Sequence, residues 1–72
     1  MSSGYTEYMI EYDNDENCAY VSGLDEDGFW IHLEFQDDIA DPESYAWGRH
    51  ESYKQLNVFS TVVNITGQVD AA

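Results

Sequence analysis

Positive charge is almost absent: one arginine, Arg49, and one lysine, Lys54, stand against fifteen Asp and Glu in 72 residues, a formal net charge of −13. A surface of that sign repels phosphate, which excludes nucleic acid and anionic membranes as direct partners and leaves a basic one. Cysteine is scarce as well. Cys18 stands alone, so no disulfide can close within the chain, and a reducing cytoplasmic compartment is expected. No apolar run approaches the ~18 residues of a membrane span, and Met1-Ser2-Ser3-Gly4 is neither basic nor apolar enough for a signal peptide. The expectation is a soluble, intracellular protein, in which the glycosylation-type triplet Asn64-Ile65-Thr66 is a chance match.

Apolar and aromatic residues are plentiful, at 43% and 15%. Disordered acidic chains lack aromatics, so this chain is expected to fold. Its length suits one domain over 1–72, with 1–4 and 68–72 frayed. A domain of this size buries only about 60–65% of the surface its unfolded chain exposes, and homodimerisation would add to that. The charge is lopsided. Thirteen of the fifteen acids fall in residues 1–43 with no Lys or Arg among them, while 44–72 hold Glu51 and Asp70 against Arg49 and Lys54.

Residues 5–12 alternate at period two and read as a strand with Tyr8, Ile10 and Tyr12 toward the core and Glu7 and Glu11 opposite. Asp13-Asn14-Asp15-Glu16-Asn17 is an acidic turn, because Asn and Asp bond their own backbone and tolerate left-handed conformations. Cys18 to Leu24 and Phe29 to Gln36 form a hairpin around Asp25-Glu26-Asp27-Gly28. In its second arm the alternation predicts a core face of Phe29, Ile31, Leu33 and Phe35, with Trp30, His32, Glu34 and Gln36 facing outward. Asp41-Pro42-Glu43 starts a helix over about 42–54, with Asp41 as N-cap and Pro42 at the first helical position; Tyr45, Ala46 or Trp47, and Tyr53 supply its apolar stripe, and Gly48 is a candidate early end. Residues 56–66 read as a last strand, apolar on both faces and therefore either central in the sheet or paired across a homodimer. The order β-β-β-α-β predicts an α+β domain, an antiparallel sheet of about four strands with one helix packed on it.

Catalytic and metal-binding patterns are incomplete. Asp13, Asp15 and Asn17 fit the first ligand positions of a calcium loop, but Cys18 stands where the turn needs Gly and Leu24 where a bidentate Glu is required. Cys18, His32 and His50 have no zinc-type spacing, no Gly-rich phosphate loop is present, and Asp37-Asp38 would need a cleft to serve as an acid–base pair. Neither an enzyme nor a cofactor or metal is expected.

The acids themselves suggest a function. Alternate residues of a strand sit roughly 6.5–7 Å apart on one face, and each DNA strand places a charge about every 3.4 Å along the axis, so carboxylates on strands and loops can imitate a phosphate track. Candidate contacts to a partner's Lys and Arg are Glu7, Glu11, Asp13, Asp15, Glu16, Asp25, Glu26, Asp27, Glu34, Asp37 and Asp38. Trp30, taken to share a face with His32 and Glu34, is a candidate anchor for arginine through cation–π contact. In size, acidity and β-rich pattern across residues 5–43 the chain resembles phage-encoded DNA-mimic inhibitors: anti-CRISPR proteins, anti-restriction proteins and inhibitors of uracil-DNA glycosylase. The resemblance is one of overall character and transfers no functional residue. It implies a non-enzymatic inhibitor, foremost an anti-CRISPR, that fills the basic DNA- or RNA-binding groove of a host defence protein or ribonucleoprotein complex in the host cytoplasm. The alternative is a halophile-adapted acidic domain with an unrelated protein-binding role.

Overall fold

The structure, a computed structural model, describes residues 4–68. Strands β1 (Glu7–Asp13), β2 (Cys18–Leu24) and β3 (Trp30–Gln36) are followed by helix α1 (Pro42–Gln55) and strand β4 (Ser60–Asn64). They form one four-stranded sheet in the order β3-β2-β1-β4, with α1 packed on one face. This is the expected α+β architecture, with one refinement: β4 runs parallel to β1, while β1–β2 and β2–β3 are antiparallel. A helical crossover is the usual way to reach a parallel position, since a tight turn can only join antiparallel strands. The fraying expected of 1–4 and 68–72 concerns residues that lie, Gly4 and Gln68 apart, outside the described range.

The core lies between sheet and helix. Ile10 and Tyr12 of β1 stand opposite Val21 and Ala19 of β2, and all four are buried with Ala46 of α1. Tyr8, Ile39, Tyr45, Tyr53 and Val62 pack around them, with the Tyr8 and Tyr53 rings stacked at 4.6 Å. The β1 core face is therefore Tyr8, Ile10 and Tyr12, as its alternation predicts. Ala46 rather than Trp47 supplies the helix's inner contact.

The helix begins where expected. Asp41 accepts a hydrogen bond from the Ser44 amide and Pro42 fills the first turn, where its missing N–H costs nothing. Gly48 does not end it. The end comes at Leu56, where the Leu56 and Asn57 amides bond back to Tyr53 and Lys54 and Asn57 takes a left-handed φ of 63°. That turn shortens the last strand from the predicted 56–66 to Ser60–Asn64 and leaves Leu56 and Phe59 70% and 63% exposed. β4 pairs only with β1 and lies at the sheet edge, so the alternative of a central position is set aside.

The third strand departs most from expectation. Its partners run Tyr20↔Phe35 and Val21↔Glu34, then Ser22↔His32, so Leu33 is an extra residue, a β-bulge. Beyond it the alternation reverses, because one inserted residue sends every following side chain to the opposite face. Phe35 leaves the predicted core face and is 50% exposed, while Glu34 moves from the predicted outer face to the helix side. Two contacts favour the bulged register: Glu34 reaches Arg49 only from the helix side, and Phe35 meets the Tyr20 ring at 5.1 Å. Phe29, also predicted in the core, precedes the strand and is 65% exposed.

Candidate functional site

The face of the sheet opposite α1 carries a registered grid of side chains. Strand pairing sets three rows across it: Glu7, Leu24 and Trp30; Met9, Ser22 and His32; Glu11, Tyr20 and Phe35. Directly opposed residues lie roughly 5 Å apart, so within each row the β1 side chain is about two strand spacings from the β3 side chain. The β1 column is acidic at Glu7 and Glu11. The β3 column is aromatic: Trp30 is 43% exposed, and Tyr20 of β2 joins Phe35 at 5.1 Å and His32 at 6.4 Å between ring centroids. The bulge at Leu33 makes this surface, since an uninterrupted strand would put Glu34 where Phe35 now stands.

Most of the remaining acids gather at the two ends of the sheet. Asp25, Glu26 and Asp27 form the β2–β3 turn beside Glu7. Asp25 Oδ1 accepts from the Asp27 and Phe29 amides, both at 2.9 Å, and Gly28 supplies a φ of 89° that a side chain would strain. At the opposite end the β1–β2 turn meets the segment after β3, where the Ile39 amide bonds the Asn17 carbonyl and the Asn17 side-chain amide donates to the Ile39 carbonyl. Asp13, Asp15, Glu16, Asp37 and Asp38 belong to this end. Asp13 differs from its neighbours: it is buried, with Oδ1 accepting from the Asp15 and Glu16 amides at 2.9 and 3.1 Å. That carboxylate shapes the turn and is poorly placed to touch a partner. Asn17 gives its side-chain amide to Ile39, and among the described residues no group of three or more His, Cys, Asp or Glu side chains converges.

Glu34 is also placed otherwise than expected, since it lies across the sheet from Trp30. Arg49 donates to both of its carboxylate oxygens, at 2.7 and 3.0 Å, and to the hydroxyls of Tyr45 and Tyr53 at 3.0 and 2.9 Å. The hydrogen bonds from Arg49 hold the Glu34 carboxyl below the usual carboxylate range, against the opposing effect of its partial burial. Lys54 stands 3.7 Å from Glu51 on α1. Both cations of the chain thus lie on the helix and face a glutamate. Apart from those two glutamates, the described carboxylates have no ion-pair partner.

Nucleophilic chemistry finds little support at Cys18. Burial pushes its thiol up, partly offset by a hydrogen bond with Tyr20 and reinforced by Asp13, Asp37 and Glu16, so at neutral pH it is a protonated thiol and a poor nucleophile. His50 Nδ1 lies 2.7 Å from Ser60 Oγ, but Ser60 is buried between helix and sheet and the contact ties α1 to β4. No described helix is long and apolar enough to cross a membrane.

Sequence reasoning placed Glu7, Glu11 and Trp30 on a common surface only in part, and missed Tyr20 and Phe35 as members of it. Phe35 carried the signal of a core residue, because its alternation with Leu33 and Ile31 is unbroken in the sequence. Comparison of the chain with known protein families, with curated proteins and with solved structures finds no match.

Proposed function

We infer that this protein is a non-enzymatic inhibitor that imitates the charge of a nucleic acid and occupies the basic groove of a DNA- or RNA-binding protein. The observation that carries the reading is the segregation of charge. Arg49 and Lys54 are both taken up by glutamates on or under α1, and twelve acids of the described chain, from Glu7 to Glu43, remain without a cation: ten on the open face and at the two ends of the sheet, and Asp41 and Glu43 at the start of α1. Such a field attracts a lysine- and arginine-lined groove, speeds encounter with it and repels phosphate. A nucleic-acid-processing complex of host defence, foremost a CRISPR surveillance complex in the cytoplasm, is the partner that the phage-inhibitor resemblance suggests.

The test is competition. Binding to a candidate CRISPR, restriction or repair protein should be displaced by that protein's own DNA or RNA, and its affinity should fall steeply between about 50 and 200 mM salt. Affinity that stays flat with salt, or binding indifferent to saturating nucleic acid, would overturn the reading. Charge reversal at Glu7 and Glu11 should weaken binding far more than reversal at Glu51.

A further inference from the structure

We propose that the open face of the sheet is an arginine-docking surface, on which Trp30, Tyr20 and Phe35 receive guanidinium planes while Glu7 and Glu11 neutralise them. The inference rests on the charge-mimicry reading and sharpens it by naming the contact face and the side chain it selects.

An acidic field alone attracts lysine and arginine alike. The aromatic column distinguishes them. A guanidinium is planar, weakly hydrated and able to stack on a ring while its edge donates two parallel hydrogen bonds to a carboxylate, whereas an ammonium is a compact, strongly hydrated point charge. The grid suits that geometry, because Glu11 stands directly opposite Tyr20 and Tyr20 directly opposite Phe35, so a guanidinium lying on the Tyr20 ring is one strand spacing, roughly 5 Å, from the Glu11 backbone position. Glu7 and Trp30 share the row that passes through Leu24, two strand spacings apart, beside the acidic Asp25-Glu26-Asp27 turn. The rings are open to a partner, with Trp30 43% and Phe35 50% exposed and α1 on the opposite side.

Charge complementarity selects the occupant. A second copy seated on this face would bring two sets of uncompensated carboxylates together, and nucleic acid or an anionic lipid surface meets the same repulsion. A surface rich in arginine supplies the missing charge and the plane that fits the rings.

The experiment titrates the isotopically labelled full chain with nona-arginine and nona-lysine peptides, following affinity by calorimetry and contacts by NMR. The expected result is binding of the arginine peptide about five- to tenfold tighter than lysine, with shifts concentrated on Tyr20, the Trp30 indole N–H and Phe35. Trp30→Leu and Phe35→Leu, which keep an apolar side chain on the strand and remove the ring, should abolish the preference, their NMR spectra reporting that the fold is kept. Equal affinities for the two peptides, or shifts confined to the turns at 13–17, 25–28 and 37–38, would overturn the proposal and leave charge mimicry standing. If neither peptide binds at low salt, charge mimicry falls with it.

Discussion

Glu34 and Arg49 meet in a two-bonded pair across the helix-covered face of the sheet, Nη1 donating to Oε1 at 2.7 Å and Nη2 to Oε2 at 3.0 Å. The pair joins an edge strand to a helix that reaches the sheet mainly through β1 and β4, and the Tyr45 and Tyr53 hydroxyls take the remaining reach of the guanidinium. Arg49→Ala should lower the unfolding free energy by about 1–2 kcal/mol. Arg49→Lys should recover little of it, since an ammonium cannot fork between Glu34 and two phenols. Glu34→Gln should cost less, under about 1 kcal/mol, because solvent screens that carboxylate. The Glu34 carboxyl is held below its ordinary value of 4.5, so its contribution is present above that pH and lost as acid protonates it in the folded protein. Urea melts at pH 7 and in acid should therefore show the Glu34→Gln cost shrinking as pH falls.

Gly23 is a second point of strain control. A Cβ there would stand 2.7 Å from Tyr5 Cδ1 and 3.0 Å from Leu33 Cδ1, so the Tyr5 ring covers the gap the glycine leaves in the sheet. Gly23→Ala should destabilise by about 1–3 kcal/mol through overpacking. In a Tyr5→Ala background the same change should cost markedly less, because the clashing ring is gone. A double-mutant cycle by thermal melts measures that coupling, and strict additivity would show that the ring does not lie on Gly23.

These two contacts mark the limit of what the sequence reveals. β1, the turn at Asp25 to Gly28 and the N-cap at Asp41 are legible because each rests on local chemistry: period-two burial, side-chain bonds to the turn backbone, and a carboxylate over the first helical amides. The bulge at Leu33 has no such local mark. Trp30 to Gln36 contains neither Gly nor Pro, its alternation is regular, and the reversal of faces is decided by Arg49 and Tyr20, which lie far along the chain. A strand read on its own places Phe35 in the core and Glu34 outside, and the long-range pairings exchange them. The acidic turns were legible as acidic and as bonding their own backbone, but not that Asp13 is buried in doing so.

The alkaline limb of stability follows from three groups: the buried Tyr12 phenol and Cys18 thiol and the half-buried Tyr20 phenol. Burial, followed by the charge of Glu43, pushes the Tyr12 phenol above 10.0; burial pushes the Cys18 thiol above 9.0; and its neighbour Cys18, followed by burial, pushes Tyr20 up. All three are raised in the folded state, so the stability they carry is complete below the unfolded values and is lost as pH rises through the folded ones. Stability should hold from about pH 6 to 8 and decline above about 9. Cys18→Ala removes the thiol and, with it, the leading cause of the Tyr20 shift, leaving Tyr12, and should move the onset of that decline toward 10. A profile that keeps its onset near 9 in Cys18→Ala would assign the loss to another group.

Salt separates an inhibitor of ordinary cells from a domain adapted to brine. The twelve acids without a cation repel one another, and that repulsion is screened over about 10 Å at 0.1 M salt and over about 30 Å at 0.01 M. Yet the core that opposes it is conventional: Ile10, Tyr12, Ala19, Val21 and Ala46 close between sheet and helix, and Arg49 ties the helix to Glu34 of β3. Circular dichroism should show a folded protein at 10 mM salt, with a melting temperature that rises by several degrees toward 0.5 M as screening takes hold. Loss of the fold at low salt, recovered only at molar concentrations, would mean that the acids serve hydration in brine and that the charged face is no docking surface.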